Sequence, residues 1–309
     1  MADNIEQRLK ANAGAAIVAP DASTVEAFQI VARSLLGHIA SHAESVRDLS
    51  PKGVHRTRVA LRRLRAAISV FAALVGGEQT ERVKVELRWL TARLGPARDL
   101  DVLTTALNRR CEADAGHGHK AVVARLSAKR ATAFANARKA VASRRFRTLL
   151  RDVEQWVDAG DWLNRTTLQP SQQRARRFAR TILARRTAKV VRRAKQIDKL
   201  DITRRHRLRI AIKKLYYAIE FFHSLFTGDK QHQRLALFGK RLKRLLGELG
   251  ALNDTAVQRG LLAGLTSRPR AGSAATARQS RQERDRIERL LESSARHGRK
   301  LARARTFRT

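Results

Sequence analysis

The stretch VHRTRVALRRLRAAISVF, residues 54–71, returns later in the chain as RHRLRIAIKKLYYAIEFF, residues 205–222. The two stretches align without a gap, so that His55 corresponds to His206. Further identical pairs include Arg58 and Arg209, Leu64 and Leu215, and Phe71 and Phe222. An internal repeat of this kind indicates that the chain contains two copies of one structural unit.

A second correspondence follows each copy of the repeat. LGPARDLDV at residues 94–102 aligns with LGALNDTAV at residues 249–257. The alignment pairs Gly95 with Gly250 and Asp99 with Asp254. Because both motifs recur in the same order, a duplicated helical unit explains the length of the chain better than two unrelated domains.

Both copies have an apolar face and a basic face when drawn as α-helices, at about 100° per residue. In the first copy the basic row is His55, Arg58, Arg62 and Arg65, and the apolar row is Leu61, Leu64, Ile68 and Phe71. In the second copy the basic row is His206, Arg209 and Lys213, and the apolar row is Ile212, Leu215, Ile219 and Phe222. Tyr216 takes the place of the fourth cation, and Glu220 joins the same face.

For one helix alone, a row of arginines opposite an apolar stripe is usually a solvated face. The recurrence of histidine and arginine at matched positions favours a binding surface instead. Arginine binds phosphate oxygens in a bidentate manner, and cations spaced at i, i+3, i+7 and i+10 extend for about 15 Å along a helix. That spacing suits an extended polyanion, although each histidine alone would more often be structural.

Long segments with apolar residues at three- and four-residue spacing predict an all-α fold. Ser50-Pro51 supplies a helix start, whereas Gly76-Gly77, Gly95-Pro96 and Gly250 are expected to stop helices. The predicted helices are 22–49, 51–75, 79–94, 97–112, 119–158 with a possible break, 171–196, 202–226, 229–249, 253–266 and 274–298.

The repeat and the composition shifts predict five segments. They are an N-terminal segment at 1–21, a first helical bundle at 22–158, a linker at 159–170, a second bundle at 171–300 and a basic tail at 301–309.

The charge of the chain predicts a polyanionic partner. The 309 residues carry a formal net charge of +38, with a pI near 11.8, and 43% of them are hydrophobic. A charge of this size is compensated by nucleic acid, an anionic membrane or a phosphate polymer. No stretch approaches the roughly 20 apolar residues that span a bilayer, and the single cysteine, Cys111, makes no internal disulfide. We therefore expect a cytoplasmic protein.

No catalytic constellation can be assembled from the sequence, so no enzyme activity, cofactor or metal is expected. Asp99 and Asp254 follow predicted helix breaks, where a helix N-cap or an arginine clamp is the expected role. Gly239-Lys240 lacks the other elements of a P-loop. His117 and His119 are too few for a metal site.

Further basic residues lie near the repeated helices. Arg88 and Arg93 precede the first LG element, and Lys240, Lys243 and Arg244 precede the second. In the basic segment 171–214, the residues Arg174, Arg177, Arg185, Arg192 and Lys195 recur near one helix face, which could simply face solvent.

These motifs resemble the CHAD domain, the conserved histidine α-helical domain. The resemblance extends over about residues 25–266. It rests on H-x-x-R-V-x-x-R-R-L-R at 55–65, LG-x-x-RDLDV at 94–102, SRRF at 143–146, H-x-L-R-I-x-x-K-K-L-x-Y at 206–217 with EFF at 220–222, and LG-x-L-ND at 249–254.

The resemblance implies two helical bundles related by pseudo-two-fold internal symmetry, with a basic central cleft or pore that binds inorganic polyphosphate. It also implies a stand-alone member of the family, of the kind associated with polyphosphate granules. The cleft residues it assigns are His55, Arg58, Arg62, Arg63 and Arg65 in the first half and His206, Arg209, Lys213 and Lys214 in the second, with Arg88, Arg93, Lys240, Lys243 and Arg244 at the rim. Tyr216 departs from the family pattern, which usually has arginine there.

The leading interpretation is therefore a non-catalytic polyphosphate-binding protein. The alternative is a nucleic-acid-binding protein, which the charge supports equally well. Against it stand the 5% aromatic content, with no visible stacking platform, and the lack of a known reading motif. A third class, an enzyme acting on polyphosphate, would need metal-binding carboxylates near the basic rows, where only Glu220 can be placed.

Overall fold

The computed structural model describes residues 16–111, 117–164, 174–226, 229–263 and 274–302. These residues form helices and contain no β-strand, so the prediction of an all-α fold is confirmed. The chain divides into two compact units, Met1–Phe178 and Ala179–Thr309. Each unit contains one copy of the repeated helix.

The first unit contains five long helices. They are α1 (Thr24–Arg47), α2 (Pro51–Val70), α3 (Glu78–Cys111), α4 (His117–Ala142) and α5 (Arg144–Ala159). A four-residue helical segment, Ala72–Val75, follows α2. Helix α2 carries the first repeat copy and packs on α1 and α3.

The helix α6 (Ala175–Ala194) begins at the end of the first unit and continues into the second. The other helices of the second unit are α7 (Ile202–Phe222), α8 (Asp229–Ala263) and α9 (Ala274–Ala302). Helix α7 carries the second repeat copy and packs on α8, which in turn packs on α9.

Several helix ends follow local sequence signals. The Ser50 hydroxyl accepts a hydrogen bond from the Gly53 backbone N–H at 3.3 Å, with Pro51 in the first turn of α2, as predicted. Gly77 has a φ of 138°, a conformation that favours glycine, at the predicted stop before α3. The possible break in the segment 119–158 lies at Ser143, whose side chain caps α5.

Two predicted helix breaks are wrong. Helix α3 continues through Gly95-Pro96, and α8 continues through Gly250. Pro96 removes one backbone hydrogen bond, which costs about 3 kcal/mol, but the helix buries Leu94 before it and Ala97 after it. Tertiary packing on both sides of the proline therefore keeps α3 continuous.

Aromatic rings form the core of the first unit. The Phe28 ring lies 5.4 Å from those of Phe71 and Trp156 and 5.2 Å from that of Trp162, measured between centroids. Trp162 donates a hydrogen bond to the Trp156 carbonyl at 2.7 Å. Trp162 belongs to the predicted linker 159–170, and its burial shows that the described part of this segment packs on the first unit. The boundary between the units falls after Phe178.

The second unit has a core of aliphatic and aromatic side chains. The apolar face of α7 is buried together with that of α8, which includes Phe238, Leu242, Leu245 and Leu249. A polar contact joins α8 to α9: the Ser293 hydroxyl donates to Glu248 at 2.6 Å, and His297 Nδ1 lies 2.8 Å from the same carboxylate oxygen. The Glu248 carboxylate of α8 thus contacts both Ser293 and His297 of α9 and links the two helices.

Candidate anion-binding surfaces

The basic face of α2 is separated from its apolar face as the sequence predicts. Leu61, Leu64 and Phe71 are completely buried and Ile68 is 1% exposed. His55, Arg62 and Arg65 are exposed, whereas Arg58 and Arg63 are half-buried. The apolar side of α2 therefore fixes the direction in which the cations point.

Arg58 is held against helix α3. Its Nη1 donates to the Thr91 carbonyl at 3.5 Å, and its Nη2 lies 3.7 Å from Asp99 Oδ1. A Cβ atom at Gly95 would lie only 3.1 Å from Arg58 Nη1. The guanidinium thus lies directly over the backbone of α3, in the space that a glycine leaves open.

Asp99 acts as an arginine clamp. It lies inside α3 and does not cap a helix, because the predicted break before it does not occur. Of the two roles expected for Asp99, the arginine clamp is therefore observed and the helix N-cap is wrong. The side chain of Asp254, its counterpart in the repeat, lies outside the described residues.

Like charges crowd the basic face of α2. Burial lowers the pKa of Arg58, Asp99 opposes this, and Arg62 and Arg98 lower it further. Burial also lowers the pKa of His55, with additional lowering from Arg98, Arg62, Arg58 and Arg56. The arginines remain charged, so His55 stands at a point of concentrated positive potential.

Arg56 and Arg98 are functional candidates that sequence reasoning missed. Arg98 donates to Asp101 at 2.8 Å, and Asp101 also accepts from Arg130 at 2.8 Å. Asp101 is 7% exposed, and its two arginine partners hold it in place. The signal for Arg98 was present, because this residue is part of the LG-x-x-RD motif beside Asp99.

The basic face of α7 repeats this arrangement within the second unit. Leu208, Ile212, Leu215 and Phe222 are buried, His206 and Lys214 are exposed, and Arg209 and Lys213 are half-buried. A Cβ atom at Gly250 would lie 3.7 Å from Arg209 Nη2 and 4.0 Å from Nε. Each repeat copy therefore places an arginine over a glycine of the following long helix.

The predicted rim residues are exposed helix positions. Arg88 and Arg93 lie on α3 and Lys240, Lys243 and Arg244 on α8. Tyr216 is half-buried, with its ring 5.9 Å from that of Tyr217. The arginines and lysine singled out on the segment 171–214 are also exposed: Arg174, Arg177, Arg185, Arg192 and Lys195.

The family model of the CHAD domain matches residues 30–263, which include both repeated helices and both LG motifs. The chain belongs to the CHAD domain family. The resemblance found in the sequence motifs is thereby confirmed.

Two solved structures are similar to this CHAD protein along most of its length. The crystal structure of the CHAD domain from the plant Ricinus communis has a TM-score of 0.75 and 28% sequence identity, covering 96% of this chain and 97% of that one. PptA from Streptomyces chartreusis has a TM-score of 0.61 and 17% identity, covering 91% of this chain and 99% of that one. At 17% identity, the similarity to PptA shows only a shared fold. No curated protein matches the sequence.

The described part of this CHAD protein lacks two kinds of feature. No helix there is long and apolar enough to cross a membrane. No group of three or more histidine, cysteine, aspartate or glutamate side chains is placed to hold a metal ion there. The side chains of His117 and His119 lie outside the described residues.

Proposed function

We propose that this CHAD protein binds inorganic polyphosphate through the basic faces of α2 and α7 and does not turn it over. The contacts are His55, Arg58, Arg62, Arg63 and Arg65 on the first face and His206, Arg209, Lys213 and Lys214 on the second. Arg88, Arg93, Lys240, Lys243 and Arg244 provide the surrounding charge. The same binding would bring the protein to polyphosphate granules.

The observation that carries the proposal is the charge cluster around His55. Burial lowers the pKa of this histidine, four neighbouring arginines lower it further, and Asp99 is the acidic group beside Arg58. Cations held close together and partly desolvated raise the free energy of the empty protein. A bound polyanion relieves this repulsion, and CHAD family membership makes polyphosphate the expected polyanion.

The spacing of the cations supports a linear ligand. His55, Arg58, Arg62 and Arg65 recur along α2 for about 15 Å, and their exposed or half-buried side chains can contact successive phosphates. Such binding releases counterions, so the affinity should fall steeply with salt. The slope of about −0.9 per phosphate contact in B-DNA is a guide to its size.

The carboxylates beside the first face support binding without catalysis. Asp99 faces Arg58, and Asp101 is held by Arg98 and Arg130. Asp101 is therefore enclosed by two guanidinium groups and Asp99 is paired with one, whereas hydrolysis of polyphosphate would call for a set of carboxylates that together bind a metal ion.

Burial of the aromatic side chains favours polyphosphate over nucleic acid. Every phenylalanine that the structure describes is buried, and so are Trp156 and Trp162. Trp89 is covered by Arg145, whose guanidinium carbon lies 4.4 Å from the ring centroid. Non-specific binding of single strands uses exposed aromatic rings on which bases stack.

A competition assay tests the choice of ligand. Labelled long-chain polyphosphate is bound to the full chain and then challenged with unlabelled polyphosphate or with DNA at equal phosphate equivalents. We expect displacement by polyphosphate and little displacement by DNA. Equal displacement by DNA would favour the nucleic-acid alternative, and phosphate release in the presence of magnesium would favour an enzyme.

A further inference from the structure

A guanidinium lies over a helical glycine in both units. At Gly95 an added Cβ would approach Arg58 Nη1 to 3.1 Å, and at Gly250 it would approach Arg209 Nη2 to 3.7 Å. The two glycines occupy equivalent positions of the LG motifs, and the two arginines occupy equivalent positions of the repeated helices. The same contact is thus built twice, from separate pairs of helices.

The backbone does not require glycine at either position. Both residues lie inside long helices, α3 and α8, and neither has a positive φ. Alanine is more favourable than glycine in the interior of a helix. At Gly95 the arginine head occupies the space that a methyl group would need, so glycine has a role there that alanine would not fill equally well.

We propose that Gly95 is a positioning residue for polyphosphate binding, because it lets Arg58 rest against the helix backbone. This inference rests on the proposed function and adds to it one residue that carries no charge, with Gly250 as the comparison in the second unit. At the first site the open space allows Arg58 to reach the Thr91 carbonyl and Asp99 together. The Arg58 guanidinium is then held at a fixed position within the row of cations on α2.

The two distances imply unequal sensitivity to a methyl group. A contact of 3.1 Å forces the Arg58 head away from α3 by a few tenths of an ångström, which breaks its hydrogen bond of 3.5 Å to Thr91. A contact of 3.7 Å is an ordinary van der Waals distance, so Arg209 can stay in place. The consequence of alanine is therefore larger at Gly95 than at Gly250.

The test compares Gly95→Ala and Gly250→Ala with Gly247→Ala as the matched control. Gly247 lies on the same helix as Gly250, and a Cβ there would meet nothing within 4 Å. Binding of long-chain polyphosphate and the Tm are measured for each full-length variant. We expect Gly95→Ala to weaken binding about fivefold, the effect of one lost hydrogen bond, and Gly250→Ala to weaken it by less than about twofold. Gly247→Ala should raise the Tm and leave the affinity unchanged.

A double-mutant cycle shows whether the effect passes through Arg58. Lysine has a compact ammonium in place of the planar guanidinium, so Gly95→Ala should cost less than about twofold in an Arg58→Lys background. An undiminished loss in that background would overturn the inference, because the methyl group would then act by another route. A loss of affinity that merely follows a lowered Tm would overturn it too.

The proposed function has its own readout in the same experiment. If Arg58→Gln weakens binding while Gly95→Ala binds like the wild type, the positioning role is wrong and the binding face stands. If Arg58→Gln binds like the wild type, both the binding face and the positioning role fail.

Discussion

The basic faces of α2 and α7 share one pattern and differ in charge. In both units an arginine lies over a glycine of the following helix. In the first face Asp99 lies beside Arg58, and arginines lie close to His55. In the second face Tyr216 occupies the position of the fourth cation, and Glu220 lies on the same helix face. The two copies of the repeat therefore share the arginine–glycine contact but differ in the charge of the basic face. We expect the first face to bind polyphosphate more strongly.

The largest effect is expected from charge reversal on both faces. Arg58→Glu combined with Arg209→Glu should weaken polyphosphate binding at least about tenfold, because each change replaces an attraction to phosphate by a repulsion. Circular dichroism should show unchanged helicity. Of the two single variants, Arg58→Glu should have the larger effect, and titration of labelled polyphosphate measures all three.

The control for charge reversal changes the net charge equally at other exposed sites. Arg151 and Arg299 are exposed arginines, one in each unit. Arg151→Glu combined with Arg299→Glu should change the affinity by less than about twofold in 0.15 M salt, where exposed charges are screened over about 8 Å. Equal losses from both double variants would show that only the net charge matters.

The next effect is a pH dependence that belongs to the first face. Burial and the neighbouring arginines lower the pKa of His55 below 6.5 in the free protein, and bound phosphates would raise it again. Binding therefore takes up a proton, and the affinity should rise as the pH falls through and below 6.5, by about threefold. His55→Gln should remove most of this rise, as measured by titrations between pH 7.5 and 5.5. If the affinity of His55→Gln rises by the same amount, the proton taken up on binding belongs to another group.

A smaller effect is expected from a substitution that makes the second face more like the first. Tyr216→Arg restores the fourth cation of α7, which should tighten binding about threefold and steepen the dependence on salt. Tyr216→Phe removes the hydroxyl without adding charge and serves as the control. If Tyr216→Arg leaves both the affinity and the salt slope unchanged, polyphosphate does not reach this end of α7.

The smallest effect on binding is expected from two glycines that lie close to the backbone of a neighbouring segment. A Cβ at Gly53 would lie 2.6 Å from the Ser45 backbone, and one at Gly298 would lie 2.8 Å from the Ala194 carbonyl oxygen. Alanine should lower the free energy of unfolding by about 1–3 kcal/mol at either site, and more at Gly53. Urea denaturation measures this, while the folded variants should bind polyphosphate normally. Unchanged stability of Gly53→Ala would contradict the close approach of Gly53 to the Ser45 backbone.

Much of the fold could be predicted because local signals and tertiary packing agree. Ser50-Pro51 starts α2, and the apolar spacing of α2 matches its buried face. The prediction failed at Pro96, where a local helix breaker is outweighed by the burial of residues on both sides. Local propensity carries no information about those distant contacts.

The sequence predicts which residues form the candidate site but not which contacts these residues make. The repeat identified Arg58 and Asp99, but only the packing of α2 on α3 shows the guanidinium over Gly95 and beside the Thr91 carbonyl. Arg98 belongs to the LG-x-x-RD motif, but its proximity to His55 is evident only in the folded chain. The shared central cleft that the family resemblance implies stays a prediction.

The most direct test of the central claim is a crystal structure of the full chain grown with short-chain polyphosphate. We expect phosphate oxygens within hydrogen-bonding distance of the Arg58 and Arg209 guanidinium groups. Phosphates bound only at other basic surfaces, such as the exposed arginines Arg185 and Arg192 of α6, would contradict the account.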